Sequence, residues 1–365
     1  PSFYMDLAAR QARKENFKSS SNDVRVELEK MMKQKADAVV IDLRSNGGGI
    51  LDEAINIAGL FAGKGPMVQQ KGARTKPFAS HYKKSAIYDG PLIVLIDRQS
   101  ASASEILAGA IQDYGRGIVV GSSHTFGKGT VQHLNDLDPR LGAVKVTINK
   151  FYLPSGATTQ LRGVESDVVL PSLADHYEIG EKYYDYALEW DKVPEAPHKS
   201  FDLVRKHLPK IKMANASRLK NDKDFDKVFE AIKTYKENLK DHLRVSLKQE
   251  DKKDDKKKDG KKDKSKEKSS KNAKGKKKVK KKEKEGEEDK EILTKNVDRV
   301  SDDLYLKEAV FIASDYARLL EGKSLLNLKL VEEKKAVSSS KKIVSDKKKE
   351  GSNVLKKEHG KVLVK

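Results

Sequence analysis

The apolar run Pro91-Leu92-Ile93-Val94-Leu95-Ile96 leads through Ser100-Ala101-Ser102-Ala103-Ser104-Glu105 into Ile106-Leu107-Ala108-Gly109-Ala110-Ile111, and nothing else in the chain constrains its fold as much. The first run is short enough for a buried strand, and the segment after the serines continues as a helix. Ser102 therefore stands on a strand-to-helix turn. Backbone N–H groups point outward there and carry the positive end of the helix dipole, so a hydroxyl on that turn sits beside ready-made donors.

The same unit recurs. Val24, Leu28, Met31 and Met32 have helical spacing and lead into the strand Ala38-Val39-Val40-Ile41-Asp42-Leu43. The chain then turns through Arg44-Ser45-Asn46-Gly47-Gly48-Gly49, and Leu51, Ala54, Ile55, Ala58 and Phe61 mark the apolar face of the next helix. Gly117-Ile118-Val119-Val120-Gly121 supplies a third strand. Strands alternating with helices give an α/β fold, with ligands expected at the strand ends. Ala143 to Ile148 alternates with period two, and Phe151-Tyr152-Leu153-Pro154-Ser155-Gly156 leads into a turn, so a hairpin or edge pair follows and the sheet is expected to be mixed. Asp167-Val168-Val169-Leu170-Pro171 closes this core, over residues 1–175.

Beyond it the pattern is helical. Phe225, Val228, Phe229, Ile232, Tyr235 and Leu239 share one face, as do Leu304, Ala309, Ile312, Tyr316 and Leu319. These imply an α-helical C-terminal domain over 176–248 and 292–322, its two stretches packing together across the segment between them. That segment, 249–291, is almost entirely Lys, Asp, Glu, Ser and Gly. Such a composition buries too little apolar area to offset chain entropy, so it reads as a disordered Lys-rich insert, and 323–365 as a disordered basic tail.

The formal charge of +20 is uneven: Pro1 to Asp175 hold 22 Lys plus Arg against 18 Asp plus Glu, leaving the excess downstream. A basic segment can bind polyanions through counterion release. This one has no aromatic residue for stacking and carries many acids, which favours a solvated linker and no specific nucleic acid. The chain has no cysteine, so it has no disulfide framework and no thiolate nucleophile. No apolar run approaches the roughly 20 residues of a membrane span. It starts at Pro1 without an initiator methionine or signal-peptide pattern, as part of a longer protein would.

About two dozen residues after Ser102 comes Thr125-Phe126-Gly127-Lys128-Gly129. A serine hydroxyl attacking a carbonyl needs a neighbour to take its proton, and lysine does this only when neutral. Bringing its pKa from about 10.4 to about 7 or 8 takes roughly 4 kcal/mol of bias from burial or nearby positive charge. Gly127 and Gly129 let the backbone deliver Lys128 into a tight site, and Gln132, on the strand that follows, can share its face and orient the amine. Ala103 N–H and an N–H of the Gly47 to Gly49 loop are the natural oxyanion donors. Asp113 lies eleven residues after Ser102, roughly 16 Å along a straight helix, so it can support the lysine or its loop but not touch the serine.

Blander readings stand beside these. Ser102 and Glu105 have capping-box spacing, the Gly triplet suits a simple tight turn, Lys128 suits a surface position, and His124 is a rival base. A P-loop is ruled out by Ser122 and Gly129, where it needs Gly and Ser or Thr. No GxSxG elbow occurs, and the histidines lack metal-ligand spacing, so neither metal nor cofactor is expected.

Asp42-Leu43-Arg44 with Asn46 and the Gly triplet, Ser100 to Glu105, Gln112-Asp113-Tyr114-Gly115-Arg116 and Thr125 to Gln132 resemble the carboxy-terminal processing peptidases, serine endopeptidases of the S41 family. Phe151-Tyr152, Gly156, Thr159-Gln160, Arg162-Gly163-Val164, Asp167, Tyr186-Ala187-Leu188 and Trp190-Asp191 resemble its large bacterial members. The resemblance implies Ser102 as nucleophile, Lys128 as general base oriented by Gln132, Asp113 as an active-site acid, and Ala103 with Gly48 or Gly49 as oxyanion donors. It implies cleavage, through an acyl-enzyme, of unfolded polypeptides or ones with nonpolar C termini, a lipoprotein adaptor as partner, and residence in the bacterial periplasm or cell envelope. The family's usual PDZ domain has no counterpart in this stretch. Ser122-Ser123-His124 is one residue longer than the usual pattern, and Ser166 stands where a proline is usual. A reading from another class remains, a catalytically silent scaffold binding polyanions through its basic segments.

Overall fold

The computed structural model describes residues 2–14, 17–138, 140–241, 303–325 and 362–364. The expected Lys-rich insert, and all of the expected tail except its first residues and 362–364, lie outside them. The chain divides into two compact units, residues 1–232 with 300–365, and residues 233–299. Of the second, only 233–241 is described, as helix.

The first unit holds two sheets rather than one. Strands β1 (Ala38–Asp42), β4 (Leu92–Ile96), β5 (Ile118–Gly121), β8 (Val168–Val169) and β9 (Val362–Val364) form a parallel sheet in the order β8-β5-β4-β1-β9. Strands β2 (Gly65–Gly72), β3 (Phe78–Tyr82), β6 (Thr130–Asp136) and β7 (Ala143–Tyr152) form an antiparallel sheet in the order β3-β2-β7-β6. The expected hairpin is thus β6–β7, and the mixed character arises from two sheets of opposite kind. β9 lies within the stretch read as a disordered tail, and pairs with the edge of β1, Val39 opposite Leu363.

A parallel sheet is buried on both faces, and alternation along its strands shows how. After a short α1 (Leu7–Gln11), Val39, Leu92, Val94, Ile96 and Val119 face one core with α2 (Ser20–Lys33), α3 (Leu51–Ala62) and α4 (Ala103–Asp113). Ala38, Val40, Ile93, Leu95, Ile118 and Val120 face a second core with α5 (Leu208–Asn221) and α7 (Leu304–Leu320). From α7, Ala309, Ile312, Ala313 and Tyr316 are wholly buried there. At about 1.5–3 kcal/mol for each large apolar side chain, this face accounts for much of the helix's attachment.

Within residues 1–232 and 300–365, the two helical stretches read from the sequence meet at Phe225 and Tyr305. Phe225, at the start of α6 (Lys223–Asp241), packs edge-on against Tyr305, and the helix packed beside α7 is α5, for which the sequence gives no expectation. Arg218 of α5 reaches Glu308 at 2.8 Å and Asp315 at 2.5 Å, and Asn215 donates to Glu308 at 2.8 Å. Burial pushes both carboxyls above their ordinary range, against the pull of Arg218.

Candidate active site

The C-terminal ends of β1 and β4 lie side by side, with Asp42 opposite Leu95, and each strand runs into a loop that bears on Ser102. The three serines of the turn part company. Ser100 is fully buried, its hydroxyl donating to the Leu43 carbonyl at 2.8 Å, and Ser104 donates to the Asn46 carbonyl at 2.8 Å. Ala101 N–H also reaches the Asn46 carbonyl, at 3.0 Å. These bonds tie the turn to the glycine loop and hold Ser102, which caps α4, at φ 57° and ψ −111°. A non-glycine residue in such a conformation costs about 1–3 kcal/mol and persists only where its surroundings fix it.

Gly48 packs directly against that turn. A Cβ on it would stand 2.7 Å from the Ala101 carbonyl oxygen, 2.8 Å from Ser102 Cβ and 2.9 Å from Ala103 N, and its φ of +98° also favours glycine. Gly48 N–H is engaged by Asn46 Oδ1 at 3.1 Å. Gly49 N–H and Ala103 N–H, by contrast, have no partner among the described residues. Of the two glycine donors expected, Gly49 is therefore the free one. On its far side the loop is clamped by Phe3, whose N–H donates to the Gly48 carbonyl at 3.0 Å and whose carbonyl accepts from Ile50 N–H at 2.8 Å.

Glu105 joins the serine to the lysine. Its carboxylate is fully buried and accepts four bonds: Oε2 from Ser102 N–H at 2.7 Å and Lys128 N–H at 2.9 Å, Oε1 from Thr125 Oγ1 at 2.6 Å and Gly127 N–H at 2.6 Å. Only a carboxylate offers acceptors at both ends; an amide would turn one end into a donor facing two donors. Burial pushes Glu105 up to about 7, against the pull of those four donors. In the sequence Glu105 reads only as a capping residue. A signal was there, since an acid among the mostly apolar residues Ala103 to Ile111 needs buried partners.

A second support comes from Thr159 and Gln160, which the sequence marks only as part of the family resemblance. Gln160 is fully buried and its Oε1 accepts from Gly129 N–H at 2.8 Å, while Thr159 Oγ1 donates to the Lys128 carbonyl at 3.2 Å. A Cβ on Gly129 would stand 2.7 Å from Gln160 N, so glycine there permits the close approach. Between these supports Lys128 is half-buried, and its amine makes no hydrogen bond or ion pair with the described residues. Burial, with Lys145 adding to it, holds the amine below the ordinary lysine range, against the opposing pull of Glu181 and Glu105.

Ser122, Ser123 and Ser166 are joined directly. Ser166 N–H donates to the Ser123 carbonyl at 3.2 Å, which a proline could not do, and its hydroxyl donates to the Ser122 carbonyl at 2.6 Å. His124 does not line the cleft; its ring lies against the buried Arg98 guanidinium, and burial with that charge lowers its pKa.

Ser102, Ala103, Gly48, Gly49, Lys128, Gln132 and Lys145 line one cleft of about 710 Å³. Gln132 does not hydrogen-bond Lys128. A bulge between Val131 and Gln132 shifts the expected alternation, and its amide donates to Thr147 at 3.5 Å. Asp113 is not brought to the cleft. It lies at the far end of α4 and accepts from Ser155 N–H at 2.7 Å, fixing the turn after β7, whose Phe151 N–H in turn bonds the Gly129 carbonyl at 2.9 Å. Burial raises its pKa. Among the described residues no cluster of His, Cys, Asp or Glu is placed to hold a metal, and no helix is long and apolar enough to cross a membrane. The cleft offers a hydroxyl, an amine held below its usual pKa and two unpartnered N–H groups, which are the parts of an acyl-transfer site.

Residues 11–170 match peptidase family S41, and residues 174–318 match the C-terminal domain of tail specific protease. The chain is 40% identical over 249 residues to the tail-specific protease of Haemophilus influenzae, covering 65% of this chain and 34% of that protein. It is 38% identical over 159 residues to the carboxy-terminal-processing protease of Bartonella bacilliformis, 43% of this chain and 35% of that protein. Among solved structures it is similar to the photosystem II D1 C-terminal processing protease, with 33% identity and a TM-score of 0.39 over 41% of this chain and 39% of that one. The chain thus spans about a third of the length of these curated relatives.

Proposed function

We propose that this chain, which belongs to peptidase family S41, performs serine endopeptidase chemistry with Ser102 as nucleophile and Lys128 as general base. The observation that carries this reading is the buried Glu105 carboxylate, which holds the Ser102 turn and the Lys128 loop against a common cleft.

Lys128, uncharged, takes the Ser102 Oγ proton as Oγ bonds to the carbonyl carbon of a peptide. The carbonyl oxygen becomes an oxyanion facing Ala103 N–H and Gly49 N–H, donors worth about 3–4 kcal/mol each to a transition state. Collapse breaks the C–N bond, and the Lys128 ammonium returns its proton to the leaving amine. An ester on Ser102 remains. Water attacks it as the amine takes one of its protons, and collapse breaks the acyl C–Oγ bond while the ammonium returns that proton to Ser102 Oγ; the carboxylic acid released ionises in solvent. Gln132 acts by shaping the wall beside the amine, and Asp113 by fixing the turn that backs the lysine loop. The substrates we assign are unfolded polypeptides or ones ending in nonpolar residues, met in the bacterial envelope, where a lipoprotein adaptor would deliver them.

Cleavage of a denatured protein by the purified chain tests this. Ser102→Ala and Lys128→Ala are each expected to lower kcat by at least ~10⁴-fold, since members of a catalytic unit fail together. Undiminished cleavage by either variant would remove the mechanism.

A further inference from the structure

We infer that Asp303, the N-cap of α7, is a positioning residue for the Ser102 cleft, acting through Arg44 to hold the glycine loop in the shape that presents Gly49 N–H. The inference rests on the reaction proposed above, because that reaction makes the loop's shape matter.

Arg44 opens the loop that runs from β1 to Gly49. Its guanidinium is gripped from two sides: Nη1 and Nη2 donate to Asp303 Oδ1 at 2.9 Å and Oδ2 at 2.6 Å, a bidentate pair, while Nε and Nη2 donate to Asp42 at 3.0 Å and 2.7 Å. Ser45, next to it, is strained at φ 54°, while φ 98° at Gly48 and 145° at Gly49 are conformations that glycine supplies. Strained backbone persists where its surroundings over-determine it: Asp97 holds Ser45, Ser104 of α4 holds the Asn46 carbonyl, and Arg44 fixes the start of the loop to α7.

Asp303 is itself well anchored. Its Oδ1 accepts from Leu306 N–H at 3.0 Å, and its carbonyl accepts from Lys307 N–H at 2.8 Å. Next to it, Tyr305 donates to the Pro171 carbonyl at 2.9 Å. The helix behind it is attached by its buried apolar face and by Arg218, neither of which involves Arg44. The pair is partly exposed, with side-chain exposures of 21% for Arg44 and 31% for Asp303, so it adds little to global stability. Its geometric effect falls on the loop. A helix from the C-terminal region, 259 residues away in sequence, thereby sets the shape of the oxyanion side of the cleft.

The test is Asp303→Ser, which keeps a capping oxygen for α7 but cannot reach Arg44. Two readouts are taken on the purified chain: hydrogen exchange of the 44–49 amides, and kcat and KM counted per active site titrated with a serine-directed fluorophosphonate. Exchange is expected to speed up about 10-fold and kcat to fall about 10-fold with KM unchanged within about twofold, the pattern of an interaction felt only in the transition state. Ala313→Gly, in the middle of α7, is expected to lower the Tm at least as much while leaving both readouts within about twofold of wild type. Asp303→Asn, which keeps one acceptor for Arg44, should fall between Asp303→Ser and wild type, and it takes the place of Asp303→Ser if that variant does not fold. Wild-type exchange and turnover in the Asp303 variants, a loss confined to KM, or equal changes in Ala313→Gly would each overturn the inference. If the wild type cleaves nothing, the proteolytic reading falls, and the exchange measurement alone decides whether Asp303 holds the loop.

Discussion

An amine set into the wall of a cleft loses part of the hydration that keeps it protonated, and Lys128 meets this in company with a second cation. Burial and Lys145 both disfavour its charged form, whereas Glu181 and Glu105 favour it. A base of this kind becomes competent as pH rises through its pKa, so kcat/KM should climb through a pKa below that of an ordinary lysine. Removing Lys145 removes a repulsion that lowers that pKa. Lys145→Gln is therefore expected to move the ascending limb of the pH–rate profile to higher pH, and Glu181→Gln to move it to lower pH. A profile unmoved by both variants would show that these charges do not reach the amine.

Among the elements, the loop from β5 to Lys128 is held by Ser166 through two hydrogen bonds. Ser166→Pro removes both and leaves the Ser122 and Ser123 carbonyls short of a partner. Urea unfolding should register a loss of about 1–3 kcal/mol, with cleavage falling alongside because Thr125 and Gly127 of the same loop feed Glu105. Normal stability in that variant would mean that the loop keeps its shape without these two bonds. Elements defined by local pattern were legible: β1, β4 and β5 as apolar runs, α3 and α4 by their periodicity, Ser102 and Lys128 by the turns that carry them. Strand β2 was hidden because its buried positions include Gln69 and Gln70, Gln69 being paid for by carbonyls at Leu153 and Pro194. Helix α5 was hidden because its buried face includes Asn215 among Ile211, Ala214 and Leu219. The second role of Glu105 depends on loop amides more than 20 residues away, and the Arg44–Asp303 pair on residues far more distant, so neither leaves a local trace.

At the scale of the whole molecule, the helical segment does more than follow the core, since α5 and α7 supply the second covering layer of the parallel sheet. Their junction is ionic and buried, which makes it sensitive to losing one partner. Arg218→Ala strands Glu308 and Asp315 and is expected to cost about 3–5 kcal/mol near neutral pH, measured by urea unfolding. Both carboxyls already have folded pKa values above their unfolded ones, so their contribution is favourable at low pH and is lost as pH rises through the folded values. Without Arg218 those values rise further, and the deficit of the variant should shrink as the solution is acidified. A constant deficit across pH would place its origin in lost packing instead. All of this scaffolding matters to function only if it keeps one hydroxyl reactive through one neutral amine. Peptide mapping by mass spectrometry after brief exposure to a fluorophosphonate examines that at the atom concerned. We expect the adduct on Ser102, formed faster as pH rises and slowed at least ~10³-fold in Lys128→Ala; an unmodified Ser102, or one labelled equally fast without the amine, would contradict it.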